Sequence, residues 1–190
     1  MILSNTEIIK GVQNKSFSID PLAGNDPGKA PFNTSAVDLR LGDTIRTLNK
    51  DIPAQLDLTK GSIAQFLANN SKLHNLTKEQ PFSLEPNKLV LANTYEKVNF
   101  PLRNGETCYG ARVEGKSSLA RCGILIHFTA PTIHANFKGK ITLEIINLGT
   151  ITFLLVPKMY ICQLIIEKIC GEPVTAPNQF TGQTDPTGLK

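Results

Sequence analysis

The sequence predicts an all-β barrel or sandwich preceded by one short helix. From Phe82 onward, short β-branched and aromatic runs alternate with Pro, Gly and Asn at intervals of about ten residues, the spacing of strands joined by tight turns. No long helical pattern comes between those runs, which disfavours a βαβ enzyme. A length of 190 residues suits one core of ordinary size, so a single domain over 1–190 is expected.

Each element has its own local warrant. Ser4 with Glu7 three positions later resembles a capping box, and Ile8, Ile9 and Val12 form an apolar stripe that ends before Asn14, so a helix is expected there. Residues 21–33 are rich in Pro, Gly, Asn, Asp and Lys without periodicity and read as a loop. In residues 36–41 the alternation turns Val37, Leu39 and Leu41 to one face and Asp38 and Arg40 to the other, the pattern of a half-buried strand. Ile63, Phe66 and Leu67 fall at helical spacing until Asn69-Asn70-Ser71 interrupts them. Strands are then expected at 88–93, 106–114, 123–129, 139–147, 151–156 and 159–168, with 171–190 an irregular tail.

Composition removes several function classes. An apolar fraction of 41% with 19% charged residues and a net charge of +4 is ordinary for a globular chain, which argues against disorder, collagen-like repeats and a supercharged nucleic-acid binder. The apolar run at 151–156 is far short of the ~20 residues that cross a bilayer, so no membrane partner is expected. The N-terminus shows no export signal, and a cytoplasmic protein is expected. Cys108, Cys122, Cys162 and Cys170 are widely spaced beside apolar runs and read as reduced core thiols. His74, His127 and His134 lack zinc-ligand spacing; His74 reads as an exposed loop residue and His127 as a core or interface histidine bonded within its strand.

Two clusters could carry chemistry. Glu114-Gly115-Lys116-Ser117-Ser118-Leu119-Ala120-Arg121 sets two hydroxyls between two cations, which suits either a phosphate cradle or a plain helical turn capped by its serines. In residues 137–147, alternation places Ile141, Leu143 and Ile145 on one face and Thr142, Glu144 and Ile146 on the other. Glu144 is then either an ordinary outward strand carboxylate or a half-buried one whose raised pKa suits proton transfer.

With Ser35-Ala36-Val37-Asp38-Leu39-Arg40-Leu41-Gly42, Gly115-Lys116-Ser117-Ser118-Leu119-Ala120-Arg121, Ile126-His127-Phe128-Thr129-Ala130, Gly139-Lys140-Ile141-Thr142-Leu143-Glu144 and Gln179-Phe180-Thr181-Gly182-Gln183 in order, the chain resembles the dCTP deaminases, relatives of trimeric dUTPases. The resemblance implies a homotrimer of distorted, jelly-roll-type β-barrels like those of dUTPase, with active sites between subunits. It implies zinc-independent hydrolytic deamination of dCTP to dUTP and ammonia, supplying dUTP for dUMP and dTTP synthesis, with Mg2+ carried on the substrate triphosphate. Glu144 takes the place of the catalytic glutamate, Ser117 and Arg121 those of the serine and arginine beside it, and Ala130 that of the alanine whose carbonyl holds the attacking water. Lys116, Ser117 and Ser118 would contact phosphates, His134 the sugar, and Thr142 and Leu143 the base, while Gln179 and Gln183 would close over the triphosphate as part of a flexible lid at 171–190.

The chain departs from the family pattern in places. Lys116 replaces a usual arginine, exchanging a bidentate fork for a point charge. His134 replaces an aspartate that in dUTPases helps position water, and Gln179 and Phe180 replace a common lysine and tyrosine. The alternatives are a dUTPase, a bifunctional enzyme that carries dCTP through to dUMP, and a non-catalytic nucleotide-binding trimer.

Overall fold

The computed structural model describes residues 1–52, 55–57, 59, 61–176 and 180–189. The chain opens with helix α1 (Asn5–Gln13), the short strands β1 (Ser18–Asp20) and β2 (Phe32–Asn33) and the long strand β3 (Ala36–Leu48). Helix α2 (Ile63–Asn69) runs into β4 (Ser71–Asn75), followed by β5 (Phe82–Leu84), β6 (Leu89–Asn99) and β7 (Tyr109–Gly115). A helical turn, α3 (Ser117–Ala120), leads to β8 (Ile124–Leu125) and β9 (Thr132–Ile133), and then to β10 (Lys138–Asn147), β11 (Phe153–Leu155) and β12 (Tyr160–Lys168).

Ten of these strands pair antiparallel in the order β8-β10-β6-β3-β12-β7-β9, with β1 on β6 and both β2 and β4 on β3; β5 and β11 form a separate ribbon. The fold is mainly β, as expected, and the ten-stranded sheet is a curled half-barrel. Strand β3 does much of the curling. Its first half pairs with β12 and its second half with β6 and β4, and its register against β6 slips between Leu41 and Ile45. Gly42 sits in that slip, where a Cβ would lie 2.9 Å from the carbonyl oxygen of Asn93. Only a residue without one lets the two strands approach so closely.

Alternation along the strands fills the interior. Val37, Leu39, Leu41 and Ile45 of β3 and Leu143 and Ile145 of β10 are completely buried, joined by Ile161, Leu164 and Ile166 of β12. Ile8 and Ile9 of α1 pack on this core while the Ser4 hydroxyl accepts the Glu7 N–H at 3.4 Å. Glu7 itself pairs with Lys10, so only half of the capping box forms. Arg40 does not face solvent: its Nε and backbone N–H donate to Glu96, which is 2% exposed, and this buried pair ties β3 to β6.

Several local expectations differ from the structure. Of the strand expected at 123–129 only Ile124 and Leu125 pair with β10, which leaves 126–131 free to loop past the open face of that strand. His74 is not an exposed loop residue. It lies on β4, its Nε2 is 2.9 Å from the Thr47 hydroxyl, and burial, followed by the charge of Lys72, holds its pKa below the ordinary histidine range. Cys108 and Cys162 are buried thiols as expected, whereas Cys122 and Cys170 are exposed because they fall in turns.

Candidate active site

Strand β10 sets the centre of the site. Ile141, Leu143 and Ile145 face the core, so the pleat turns Thr142 and Glu144 to the other side. Asn147 clamps the end of the strand, its Nδ2 donating to the carbonyls of Leu84 and Ile151 at 3.0 and 2.8 Å. Above this face lies a cavity of about 420 Å³ lined by Glu144, Thr142, Ala130, His134, Gln183 and His127. Helix α2 supplies its apolar rim through Ile63, Ala64 and Leu67.

The electrostatics of Glu144 suit proton transfer. Burial pushes its carboxyl above the usual glutamate range; backbone N–H groups, including that of Phe128, and the nearby His127 pull it part of the way back. A carboxyl placed in this way exchanges a proton more readily near neutral pH than a solvated one. His127 faces a second carboxylate as well, its Nε2 lying 3.5 Å from Glu114 Oε2. Its Nδ1 is buried and has no hydrogen-bond partner among the described residues.

The expected site residues divide into two groups. Glu144, Thr142, Ala130, His134 and Gln183 meet in one cavity, while Lys116, Ser117, Ser118 and Arg121 lie outside it. Leu143 is fully buried in the core on the opposite face of β10, so its side chain cannot line the cavity. Lys116 forms an ion pair with Asp38, the two side chains 21% and 11% exposed, which orients a single cation rather than a fork. Ser117, Ser118 and Arg121 are exposed on and just after α3, and among the described residues Arg121 makes no ion pair. The turn is helical, but neither serine caps it: the N-cap is Lys116, without a side-chain cap bond. Gln179 lies outside the described residues. Gln183 is 5% exposed and its Nε2 donates to the Lys140 carbonyl at 2.8 Å and to the Thr142 hydroxyl at 3.2 Å.

Against known proteins, the profile of the dCTP deaminase-like family matches residues 2–169. The chain belongs to this family. A dUMP-forming dCTP deaminase of Dictyoglomus turgidum is 33% identical across all of this chain and 94% of its own length. A dCTP deaminase of Buchnera aphidicola subsp. Acyrthosiphon pisum is 34% identical over 93% of this chain and 88% of its own. The crystal structure of 2'-deoxycytidine 5'-triphosphate deaminase from Agrobacterium tumefaciens shares the fold, with a TM-score of 0.65 at 19% identity. That match covers 89% of this chain, which spans about half of the solved chain, 48%.

In this dCTP deaminase-like chain the sequence assigned His127 no place in the site, yet it lines the cavity. His127 was expected within a strand, but β8 ends at Leu125, so the imidazole turns into the cavity beside Glu144. Among the described residues no group of three or more His, Cys, Asp or Glu side chains is placed to hold a metal ion. No helix among them is long and apolar enough to cross a membrane.

Proposed function

We propose that the protein hydrolytically deaminates the cytosine of dCTP, with Glu144 as the proton shuttle. The observation that carries this reading is a half-buried carboxyl of raised pKa in a cavity that also holds Ala130, His134 and Gln183. The Glu144 carboxylate takes a proton from a water held by the Ala130 carbonyl as the water oxygen bonds to C4. The same carboxyl then hands the proton to the amino nitrogen, the C4–N bond breaks, and ammonia leaves. Zinc has no part in this scheme, and Mg2+ enters as a component of the substrate triphosphate. The relatives' names support the base and the reaction.

The separation of the two residue groups supports sites completed between subunits of a homotrimer. Exposed Ser117 and Arg121 meet the neighbouring subunit's cavity, where the arginine steadies the charge that develops on the pyrimidine. Leu125 on β8, and Leu148 and Ile151 just after β10, are 37%, 56% and 59% exposed, apolar surface suited to burial against another copy. Ser118 and Lys116 flank the phosphate path, and the C-terminal segment closes over it. The four free thiols fit a cytoplasmic setting.

A second reading, onward cleavage to dUMP, is favoured by the dUMP-forming relatives. His134 opposes it, since an imidazole replaces the acid that would orient the hydrolytic water. Incubation with dCTP and Mg2+, with chromatographic separation of dUTP from dUMP, tests both: dUTP with ammonia supports deamination alone, dUMP the bifunctional reading, and unchanged dCTP refutes both and leaves a dUTPase or a non-catalytic nucleotide-binding trimer, which a second incubation with dUTP separates.

A further inference from the structure

Arg46, near the end of β3, reaches the C-terminal segment and pairs with Asp185, 139 positions later. Its Nε and Nη2 both donate to Asp185 Oδ2, at 3.1 and 2.8 Å. Its Nη1 donates to the Ser71 hydroxyl at 3.2 Å, which fixes the plane of the guanidinium from β4. The two side chains are only 15% and 24% exposed. The second oxygen, Asp185 Oδ1, accepts the Thr187 N–H at 2.9 Å and its hydroxyl at 2.6 Å. The N–H groups of Thr184 and Asp185 both point to the Leu189 carbonyl and close the same turn. One carboxylate thus shapes the turn and fastens it to the barrel.

That turn is a wall of the cavity. Phe180, Gln183, Thr187 and Gly188 line it with Glu144. Neutral bonds also hold the segment: those of Gly182 and Gln183 to β10, the Thr181 hydroxyl to the Asn136 carbonyl at 3.1 Å, and Asn93 Nδ2 to the Thr184 carbonyl at 3.1 Å. A charge-assisted bond between half-buried groups is worth roughly twice a neutral one, so the Arg46 pair is the strongest tie in the set.

We propose that Arg46 is a positioning residue for the reaction, holding Asp185 so that the C-terminal segment lies closed over the cavity of its own subunit before nucleotide arrives. Gln183 then meets the substrate in place, and binding does not have to order the tail from a free coil. This proposal rests on the deaminase reading for its kinetic consequence, but its structural core does not.

The test uses the full chain with Arg46→Gln, Asp185→Asn and the double variant. Hydrogen exchange of residues 180–189, measured without nucleotide, should speed up in each variant while β3, β6 and β10 keep their protection. KM for dCTP should rise roughly tenfold, the scale of a lost bond to a charged group, with a smaller fall in kcat. The double variant should be no worse than the worse single one, because the pair is lost only once. Arg46→Lys should restore part of the protection. Asp185→Asn guards against misfolding, since it leaves the guanidinium on Ser71. Unchanged exchange of the tail in Asp185→Asn, or effects of the two single changes that add in full, would overturn the anchor. Faster tail exchange in variants of a protein inert towards dCTP would support the anchor and overturn only the reaction assigned to it.

Discussion

Replacing Glu144 by Gln separates chemistry from folding. The amide keeps the shape of the side chain and can still accept the backbone N–H donors that reach it, including that of Phe128. It cannot take a proton from water, so kcat for dCTP should fall by about 10² to 10⁴, which is about 2.7 to 5.4 kcal/mol of barrier at 1.36 kcal/mol per tenfold. Stability should move the other way. The folded-state pKa of Glu144 lies above its unfolded value, so the folded protein holds that proton more tightly, and stability is lost as pH rises through the folded pKa. Gln carries no such penalty. The variant should therefore match wild type at acid pH and gain on it as pH rises past the folded pKa, while wild-type kcat/KM climbs over the same window as the base ionises. Rates by chromatography and Tm across pH 5 to 8 measure both. Turnover within a few fold of wild type would refute the proton shuttle, and a variant that loses Tm steadily towards neutral pH would refute the burial argument.

Other perturbations probe the remaining parts of the site. Arg121→Ala should abolish turnover while leaving the far-UV circular dichroism unchanged, because within its own subunit Arg121 is exposed and makes no ion pair among the described residues. Co-expressing Arg121→Ala with Glu144→Gln subunits should restore about a quarter of the sites by random mixing in a cyclic trimer, and no restoration would exclude sites shared between subunits. Lys116→Met should lower stability by about 1 to 3 kcal/mol in urea unfolding, since among the described residues Asp38 keeps only the Asn33 amide, 2.9 Å away, as a side-chain partner. Gly139→Ala should push the tail off β10: the added Cβ would fall 2.8 Å from the Gln183 carbonyl oxygen, at a φ of +152°. A rise in KM for dCTP with unchanged far-UV circular dichroism is the expected result.

The sequence determined those features that a local rule can express. Alternation in Val37-Asp38-Leu39-Arg40-Leu41 assigned the core positions correctly, and along 139–147 both the core and the open face, because the strand repeat of two needs no distant partner to be read. It placed Glu144 and Thr142 on the open face for the same reason, and Ser4 at the start of α1 by the equally local rule of helix capping. The extent of strands was less legible: β3 runs on to Leu48 and β6 to Asn99, as their ends are set by the strands beside them. The tertiary structure alone turned His127 into the cavity, by ending β8 at Leu125. It also paired Lys116 with Asp38 and Arg46 with Asp185, 78 and 139 positions apart. Charged residues at such separations carry no periodicity that marks them as partners. Only the curl of the sheet, which brings the far end of β3 under the C-terminal turn, decides that they meet.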